Sequence, residues 1–357
     1  MLPRERVLAA LAFQPADIIP LQIHPSPAGI FEHGPKLIEL MRRCGHDFDD
    51  LSHLRVPEVP AEDFDADGRY HKFATDAWGV SWEYRLYGVW GYRVGYPLAD
   101  ISKLASYTPP PIKRLAGEEL AQARAKAEAH RRTYFHVGGG VSIFETMQSL
   151  RPFEDVLIDI AHDTHEINRL ADMLVDYAEV QVANTLAVNA DALSVGDDFG
   201  TQQALMMSPK VWRRFFKPRY RALFEPAVRS GTKVLFHSCG HIEPILEDLA
   251  EIGVSAIWPQ LPLYNHRALA RRCRELGLAV QMHPDRGELM QRGTPQQVRD
   301  YLLRLVDEFE TPSGGSWLYL EVDPGFPWPN VEAMYETAME WRQPERYRRR
   351  LDRGGAK

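Results

Sequence analysis

Residues 232–260, TKVLFHSCGHIEPILEDLAEIGVSAIWPQ, contain the pattern on which the fold depends. An apolar run of β type (232–238) is followed by a helical stretch (242–253) and then by a second apolar run (254–260). Apolar runs without alternation are typical of strands buried on both faces, as in parallel sheets. The segment therefore predicts a strand–helix–strand unit of an α/β fold.

The same alternation continues along most of the chain, which has 357 residues. The candidate strands lie at 18–24, 51–56, 133–139, 191–197, 232–238, 254–260, 278–284 and 316–322. A helix is predicted to begin at Thr294, an N-cap residue followed by Pro295 at the first helical position. Eight buried strands separated by helices predict a closed (β/α)8 TIM barrel. An open doubly wound sheet is the alternative, but no Gly-x-Gly-x-x-Gly follows the first strand.

An aromatic-rich segment at 76–98 alternates like a β-hairpin and is predicted to be an insertion that covers one end of the barrel. No internal repeat, low-complexity tract or linker divides the chain. We therefore expect a single domain over residues 1–345, followed by a short basic tail over 346–357.

The composition argues against several classes of partner. The net charge is −7 and no basic stripe is present, so nucleic acid is not expected as a ligand. No window reaches the roughly 18 apolar residues that a membrane span requires. The arginine-containing N-terminal segment has an apolar stretch too short for a signal peptide, and we interpret it as an amphipathic helix. Three cysteines do not make a disulfide framework, which favours a reducing, cytoplasmic location.

The first predicted site is the pair His237 and Cys239, at the end of the strand 232–238. Residues i and i+2 of a strand point to the same face, and barrel enzymes carry their chemistry at the C-terminal ends of the strands. Imidazole nitrogen and thiolate sulfur are common zinc ligands, and a catalytic zinc has three protein ligands and one open position. The pair therefore predicts a zinc site. The alternative is a buried cysteine that packs beside a hydrogen-bonded histidine.

A third zinc ligand is expected from another strand end. Cys44 and Cys273 lie in helical patterns and are poor candidates. The last predicted strand ends with Glu321 and Asp323, again two residues apart, and a carboxylate oxygen can complete a zinc shell. We favour Glu321 over Asp323.

Other polar residues also follow predicted strands. Asp197 and Asp198 are adjacent, so only one of them faces the pocket squarely, and helix capping is their alternative role. Asp198 and Glu145, which follows the glycine triplet 138–140, are the predicted catalytic residues, with general acid–base roles. The predicted substrate-binding residues are His24, Asp197, Gln260 and His283.

Motifs along almost the whole chain carry a resemblance to a known family. They include RERVLAALAFQPADIIPLQ (4–22), VGDDFGTQQALMMSPKVWRRFFKPRY (195–220), VLFHSCGHIEPILEDLAEIGVSAIWPQ (234–260) and PNVEAMYETA (329–338). With these motifs the chain resembles the uroporphyrinogen decarboxylase superfamily. The resemblance implies a (β/α)8 barrel whose site lies at the C-terminal mouth.

The superfamily contains two chemistries. Its decarboxylases carry an arginine-rich loop after the first strand, where this chain has IHPSPAG (23–29) without arginine. The charges of a polycarboxylated tetrapyrrole would then be unmatched, which argues against that substrate. The other branch resembles methylcobalamin:coenzyme M methyltransferases, which hold zinc with a His-x-Cys pair and a later cysteine. His237 and Cys239 match the pair, but the later cysteine is missing and Glu321 lies near its place.

This resemblance implies a zinc-dependent methyltransferase in which zinc activates a thiol for methyl transfer to or from a corrinoid such as methylcobalamin. No corrinoid-carrying Asp-x-His-x-x-Gly motif is present, so the corrinoid is expected from solution or from a carrier protein. The resemblance also implies a possible homodimer. Two alternatives stay open: a decarboxylase or other lyase that acts on a porphyrinogen or a smaller carboxylated substrate, and a non-catalytic corrinoid- or tetrapyrrole-binding protein.

Overall fold

The computed structural model describes residues 1–345 and residue 347. The remainder of the predicted basic tail lies outside the described residues. The α-helices are α1 Pro3–Leu11, α2 Pro27–His33, α3 Pro35–Cys44, α4 Gly117–Arg131, α5 Phe144–Leu150, α6 Phe153–His162, α7 His165–Ala187, α8 Pro209–Phe215, α9 Lys217–Ser230, α10 Leu246–Glu251, α11 His266–Leu276, α12 Glu288–Arg292, α13 Pro295–Glu308 and α14 Trp328–Trp341. The strands are β1 Leu21–His24, β2 Lys72–Thr75, β3 Ser81–Tyr84, β4 Tyr92–Gly95, β5 Val137–Val141, β6 Ala192–Gly196, β7 Lys233–Ser238, β8 Ala256–Pro259, β9 Ala279–Met282 and β10 Ser316–Glu321. Short 3-10 helices lie at Ala61–Asp63, Ile101–Ala105, Glu243–Ile245, Leu261–Leu263 and Thr311–Ser313.

The chain divides into two compact units. The first unit comprises Met1–Pro57, Lys126–His136 and the described residues from Ser255 onward. Its strands run parallel in the order β1-β10-β9-β8. His24 at the end of β1 lies opposite Glu321 at the end of β10, so polar residues of two strands finish at the same level.

The second unit comprises Glu58–Ala125 and Val137–Val254. Its parallel strands follow the order β5-β6-β7, with Gly196 opposite His237 where β6 and β7 end. A separate antiparallel sheet has the order β2-β3-β4. The prediction of a single domain over 1–345 stays a prediction.

The predicted α/β class, with parallel strands alternating with helices as in a TIM barrel, is confirmed. Seven of the eight predicted strands are present in the described chain, and the segment 51–56 is the exception. That prediction was wrong. Arg42 donates hydrogen bonds to the carbonyls of Leu51, Ser52 and Leu54, so an arginine side chain takes the acceptors that a neighbouring strand would use.

Two local predictions are also confirmed. The Thr294 hydroxyl accepts a hydrogen bond from the Gln297 backbone, and the Gln297 side chain accepts one from Thr294, which forms a capping box at the start of α13. The aromatic segment 76–98 contains the antiparallel pair β3 and β4, as predicted for a hairpin, and β2, which precedes the segment, adds a third strand beside β3. Among the described residues, no helix is both long and apolar enough to cross a membrane.

The core of the second unit contains a cluster of aromatic rings around Phe199, the residue that follows the two aspartates. The Phe199 ring stacks on Phe144 at 5.1 Å between centroids and meets Phe216 at 4.9 Å and Trp212 at 5.8 Å. All four side chains have no solvent exposure. Burial of aromatic side chains contributes strongly to stability, so this cluster holds the segment after β6 against the core.

We expect Phe199→Ala to lower the free energy of unfolding by about 3–5 kcal/mol, because it removes buried ring contacts and leaves a cavity. Phe199→Leu, which keeps most of the apolar volume, is expected to cost less than half as much. Chemical denaturation of both variants measures the difference. Equal, small losses for the two variants would contradict a cluster that anchors this segment.

Candidate functional site

The loops that follow β6 and β7 stay paired beyond the ends of the strands. The backbone amide of Asp197 donates to the His237 carbonyl at 3.1 Å, and that of Gly200 donates to the Cys239 carbonyl at 3.2 Å. Between them, the Phe199 amide donates to the Ser238 hydroxyl at 3.0 Å. This pairing fixes the register of the two segments that carry the predicted catalytic and metal residues.

Two glycines allow the loops to come this close. Gly240 has φ +76°, and a Cβ added to it would lie 2.1 Å from the carbonyl carbon of Gly200. A Cβ added to Gly200 would lie 2.3 Å from the backbone nitrogen of His241. Any side chain at either position would therefore collide with the backbone of the other loop. Glycine is the residue that permits both the left-handed turn and the close approach.

Asp198, His237 and Cys239 meet at one point of the second unit. The His237 Nε2 atom lies 3.4 Å from the Cys239 Sγ atom and 3.5 Å from the Asp198 Oδ1 atom. The Cys239 backbone amide donates to Asp198 Oδ1 at 2.6 Å, which orients the carboxylate. One nitrogen, one sulfur and one oxygen atom that could bind a metal thus lie within 4.8 Å of one another. His237 and Asp198 are 28% and 32% exposed, so the group is accessible.

Asp197 points away from this group and is fully buried. Its carboxylate accepts hydrogen bonds from the backbone amides of Ile143 (2.8 Å) and Glu145 (2.7 Å). It also accepts from the hydroxyls of Ser142 (3.0 Å) and Tyr220. Burial raises its pKa to about 6, although the amides and the Tyr220 hydroxyl act in the opposite direction. Asp197 therefore anchors the start of α5, and its predicted role in binding substrate is untested.

Glu145 lies in the first turn of α5, which Asp197 anchors. Its carboxylate accepts from Arg93 Nη2 at 2.9 Å and from Gln148 Nε2 at 3.3 Å. Burial, with a contribution from the negative charge of Asp198, raises the pKa of Glu145. The Glu145 amide binds Asp197, the residue before Asp198, so the two predicted catalytic residues lie on neighbouring segments of the second unit.

The first unit carries its own polar cluster at the ends of β1 and β10. Glu321 pairs with Arg286 at 2.8 Å, and its other oxygen lies 3.7 Å from His24 Nε2. Arg286 also forms a two-pronged ion pair with Asp323, at 2.7 and 2.9 Å. The Tyr319 hydroxyl donates to Glu321 at 3.3 Å. Burial raises the pKa of Glu321. The role of Glu321 or Asp323 as a metal ligand stays a prediction.

The other two predicted substrate-binding residues also belong to the first unit. The His283 ring nitrogens lie 2.7 Å from the Pro284 carbonyl and 2.9 Å from the Pro259 carbonyl, and the side chain is buried. The Gln260 carbonyl accepts from the Leu263 amide after β8. Their contact with a substrate is untested.

The sequence missed three charged or hydroxyl-bearing partners of these residues. Arg286 comes only four residues after the end of β9, so the strand-end rule could have found it. Arg93 lies within the aromatic insertion and Tyr220 within α9, and neither position carries a strand-end signal. The sequence also assigned Asp198 to acid–base chemistry and did not consider it as a metal ligand.

We expect Gly240→Ala to destabilise the second unit far more than Gly231→Ala. Both glycines have positive φ, at +76° and +79°, but an added Cβ at Gly231 meets nothing within 4 Å. The control should therefore cost only the backbone strain of about 1–2 kcal/mol. Thermal unfolding of both variants gives the comparison. Equal effects would mean that the contact between Gly200 and Gly240 contributes nothing.

Comparison with known proteins identifies the family to which the chain belongs. The family model described as uroporphyrinogen decarboxylase (URO-D) matches residues 93–341. A methyltransferase from Methanosarcina mazei has a TM-score of 0.62 at 16% identity, over 96% of this chain and 99% of that chain, which shows a shared fold. A dihydropteroate synthase from Xanthomonas albilineans, at 14% identity, covers 55% of this chain and 65% of its own, with a TM-score of only 0.37. No curated protein matches the sequence. The match over most of its length shows that the chain belongs to the URO-D family.

Proposed function

We propose that this protein is a zinc-dependent methyltransferase in which Asp198, His237 and Cys239 hold the metal. The observation that carries the proposal is the convergence of three different ligand atoms in one accessible group of the second unit. The likeness in fold to a protein described as a methyltransferase supports the choice of this reaction within the family.

The two distances from His237 Nε2 to the other candidate ligand atoms fit a tetrahedral zinc site. Zinc bonds of about 2.0–2.1 Å to nitrogen or oxygen and about 2.3 Å to sulfur place neighbouring ligand atoms roughly 3.3–3.6 Å apart. The observed separations from His237 Nε2 are 3.4 Å to sulfur and 3.5 Å to oxygen. Three protein ligands leave one position for a substrate, which is the pattern of a catalytic zinc.

A metal-free Cys-His-Asp relay fits the geometry less well. In such a relay the carboxylate binds one ring nitrogen of histidine, and the nucleophile binds the other. Here Asp198 and Cys239 both lie nearest to the same nitrogen, His237 Nε2. The sulfur and the carboxylate oxygen therefore lie on the same side of the imidazole ring. This arrangement suits the binding of one cation by all three residues, and it does not suit proton transfer from cysteine through histidine to aspartate.

Each residue has a defined part in the proposed reaction. A bound zinc would act as a Lewis acid and lower the pKa of a thiol that occupies its open position. Asp198 and the Cys239 thiolate would neutralise the charge of the ion, while the Cys239 amide keeps Asp198 in place. Burial raises the pKa of Glu145, and its predicted acid–base role stays a prediction.

The methyl donor in this proposal is a corrinoid, free or on a carrier protein. The thiol sulfur forms a bond to the methyl carbon, and the bond from that carbon to cobalt breaks with both electrons left on cobalt. The thiol proton is released to solvent. The corrinoid, the carrier, a homodimer and the cytoplasmic location remain proposals that extend the sequence resemblance.

The metal content of the purified protein tests this proposal. We expect about one zinc per chain, lost in His237→Ala and Cys239→Ala. Asp198→Asn should weaken zinc binding by more than the roughly 10- to 100-fold cost of losing an outer partner of a ligand. Cys273→Ala, which removes a buried thiol from α11, should keep its zinc and serves as the control.

Glu321→Gln decides between the two carboxylates. If Asp198 is the ligand, Glu321→Gln keeps its zinc. Loss of zinc in Glu321→Gln with retention in Asp198→Asn would restore the ligand predicted from the sequence. Protein that takes up no zinc in any form would contradict the proposal. A zinc protein that releases carbon dioxide from carboxylated substrates and leaves the spectrum of methylcobalamin unchanged would be a lyase.

A further inference from the structure

We propose that the methyl acceptor is a zwitterionic thiol of the amino-acid type, whose carboxylate binds Arg93 and whose ammonium group binds Glu145. This inference rests on the proposed function and names the substrate class of the same site. It follows from the ion pair between these two side chains, which joins β4 to the start of α5 within the second unit.

The guanidinium group of Arg93 has hydrogen-bond donors that are not used by the described protein groups. Its Nε atom donates to the Ser149 hydroxyl at 3.0 Å, and Nη2 donates to Glu145 at 2.9 Å. Among the described residues, none accepts from its Nη1 group, and 26% of the side chain is exposed. The guanidinium lies over the ring of Trp82, with 5.5 Å between its central carbon and the ring centroid. This contact fixes the orientation of the guanidinium group. An immobile, partly free guanidinium is suited to bind a carboxylate.

The carboxylate of Glu145 can accept more hydrogen bonds than it does in the described structure. An ionised carboxylate offers about four lone-pair sites, and the described hydrogen bonds to Arg93 and Gln148 use two of them. The side chain is 34% exposed, similar to Asp198 at 32%. A ligand ammonium can therefore bind Glu145 without breaking the pair with Arg93. The Glu145 amide binds the carboxylate of Asp197, the residue before Asp198, so a ligand held at Glu145 lies in the same part of the second unit as the proposed zinc ligands.

The opposite charges of Arg93 and Glu145 select against thiols that lack a carboxylate, an ammonium group or both. A thiol with a carboxylate alone would place its negative charge beside Glu145, and one with an ammonium alone would place its positive charge beside Arg93. An uncharged thiol would displace water from Arg93 and Glu145 and would offer neither residue a hydrogen bond in its place. A neutral zwitterion matches both, and unmatched charges on other ligands are a common source of specificity.

The test uses four thiols that differ only in charged groups: L-homocysteine, 4-mercaptobutyrate, 3-aminopropanethiol and 1-propanethiol. Calorimetric titration of the zinc-loaded protein gives the affinity of each, and the change in the methylcobalamin spectrum gives the methylation rate. We expect L-homocysteine to bind at least about tenfold more tightly than either singly charged thiol, since a hydrogen bond to a charged group contributes about that factor.

Two variants assign the groups. Arg93→Gln should abolish the advantage of L-homocysteine over 3-aminopropanethiol, and Glu145→Gln should abolish its advantage over 4-mercaptobutyrate. Arg85→Gln, which removes a more exposed arginine that follows β3 and pairs with Glu83, should leave both ratios unchanged. A purely structural role of the ion pair would lower all four affinities together.

The outcomes separate this inference from the proposed function. If 1-propanethiol binds and is methylated as well as L-homocysteine, the inference is wrong and the proposed function stands. If the ratios do not respond to the two variants, the assignment to Arg93 and Glu145 is wrong. If no thiol of the series binds the zinc protein or consumes methylcobalamin, the proposed function fails and this inference fails with it.

Discussion

The site in the second unit depends on one constraint, the contact between the backbones of Gly200 and Gly240. With no side chain on either residue, the loops after β6 and β7 come within hydrogen-bonding distance, and the Gly200 amide reaches the Cys239 carbonyl. This approach brings Asp198 to the Cys239 amide, and so to the imidazole of His237 at the end of β7 and to the sulfur of Cys239 just after it. The aromatic cluster around Phe199 supports the same segment from the core side.

Asp197 and Asp198 have different roles because the side chains of neighbouring residues in an extended chain point in opposite directions. Asp197 is fully buried, and its hydrogen bonds to two amides and two hydroxyls join the end of β6 to the start of α5. Asp198 is accessible and faces His237 and Cys239. One carboxylate thus holds Glu145 in place from behind, while the other provides an oxygen atom to the candidate metal centre.

The sequence predicted the fold well because buried parallel strands leave apolar runs that are easy to recognise, and of the eight predicted buried strands only 51–56 was misassigned. There the carbonyl acceptors are taken by Arg42, an interaction that no local pattern reveals. His237 and Cys239 were predictable because their spacing alone places them on one face of a strand. The grouping of Asp198 with them was not, since it depends on a close approach of two loops far apart in sequence. Arg93 was missed because its contact with Glu145 joins a strand and a helix that are far apart in sequence.

The most direct test of the central claim is an X-ray absorption spectrum at the zinc edge of the purified protein. A site formed by Asp198, His237 and Cys239 predicts a single sulfur neighbour at about 2.3 Å, with the remaining neighbours nitrogen or oxygen at about 2.0–2.2 Å. Addition of a thiol substrate should raise the sulfur count from one to two. A first shell without sulfur would show that Cys239 is not a ligand and would contradict the proposed metal centre.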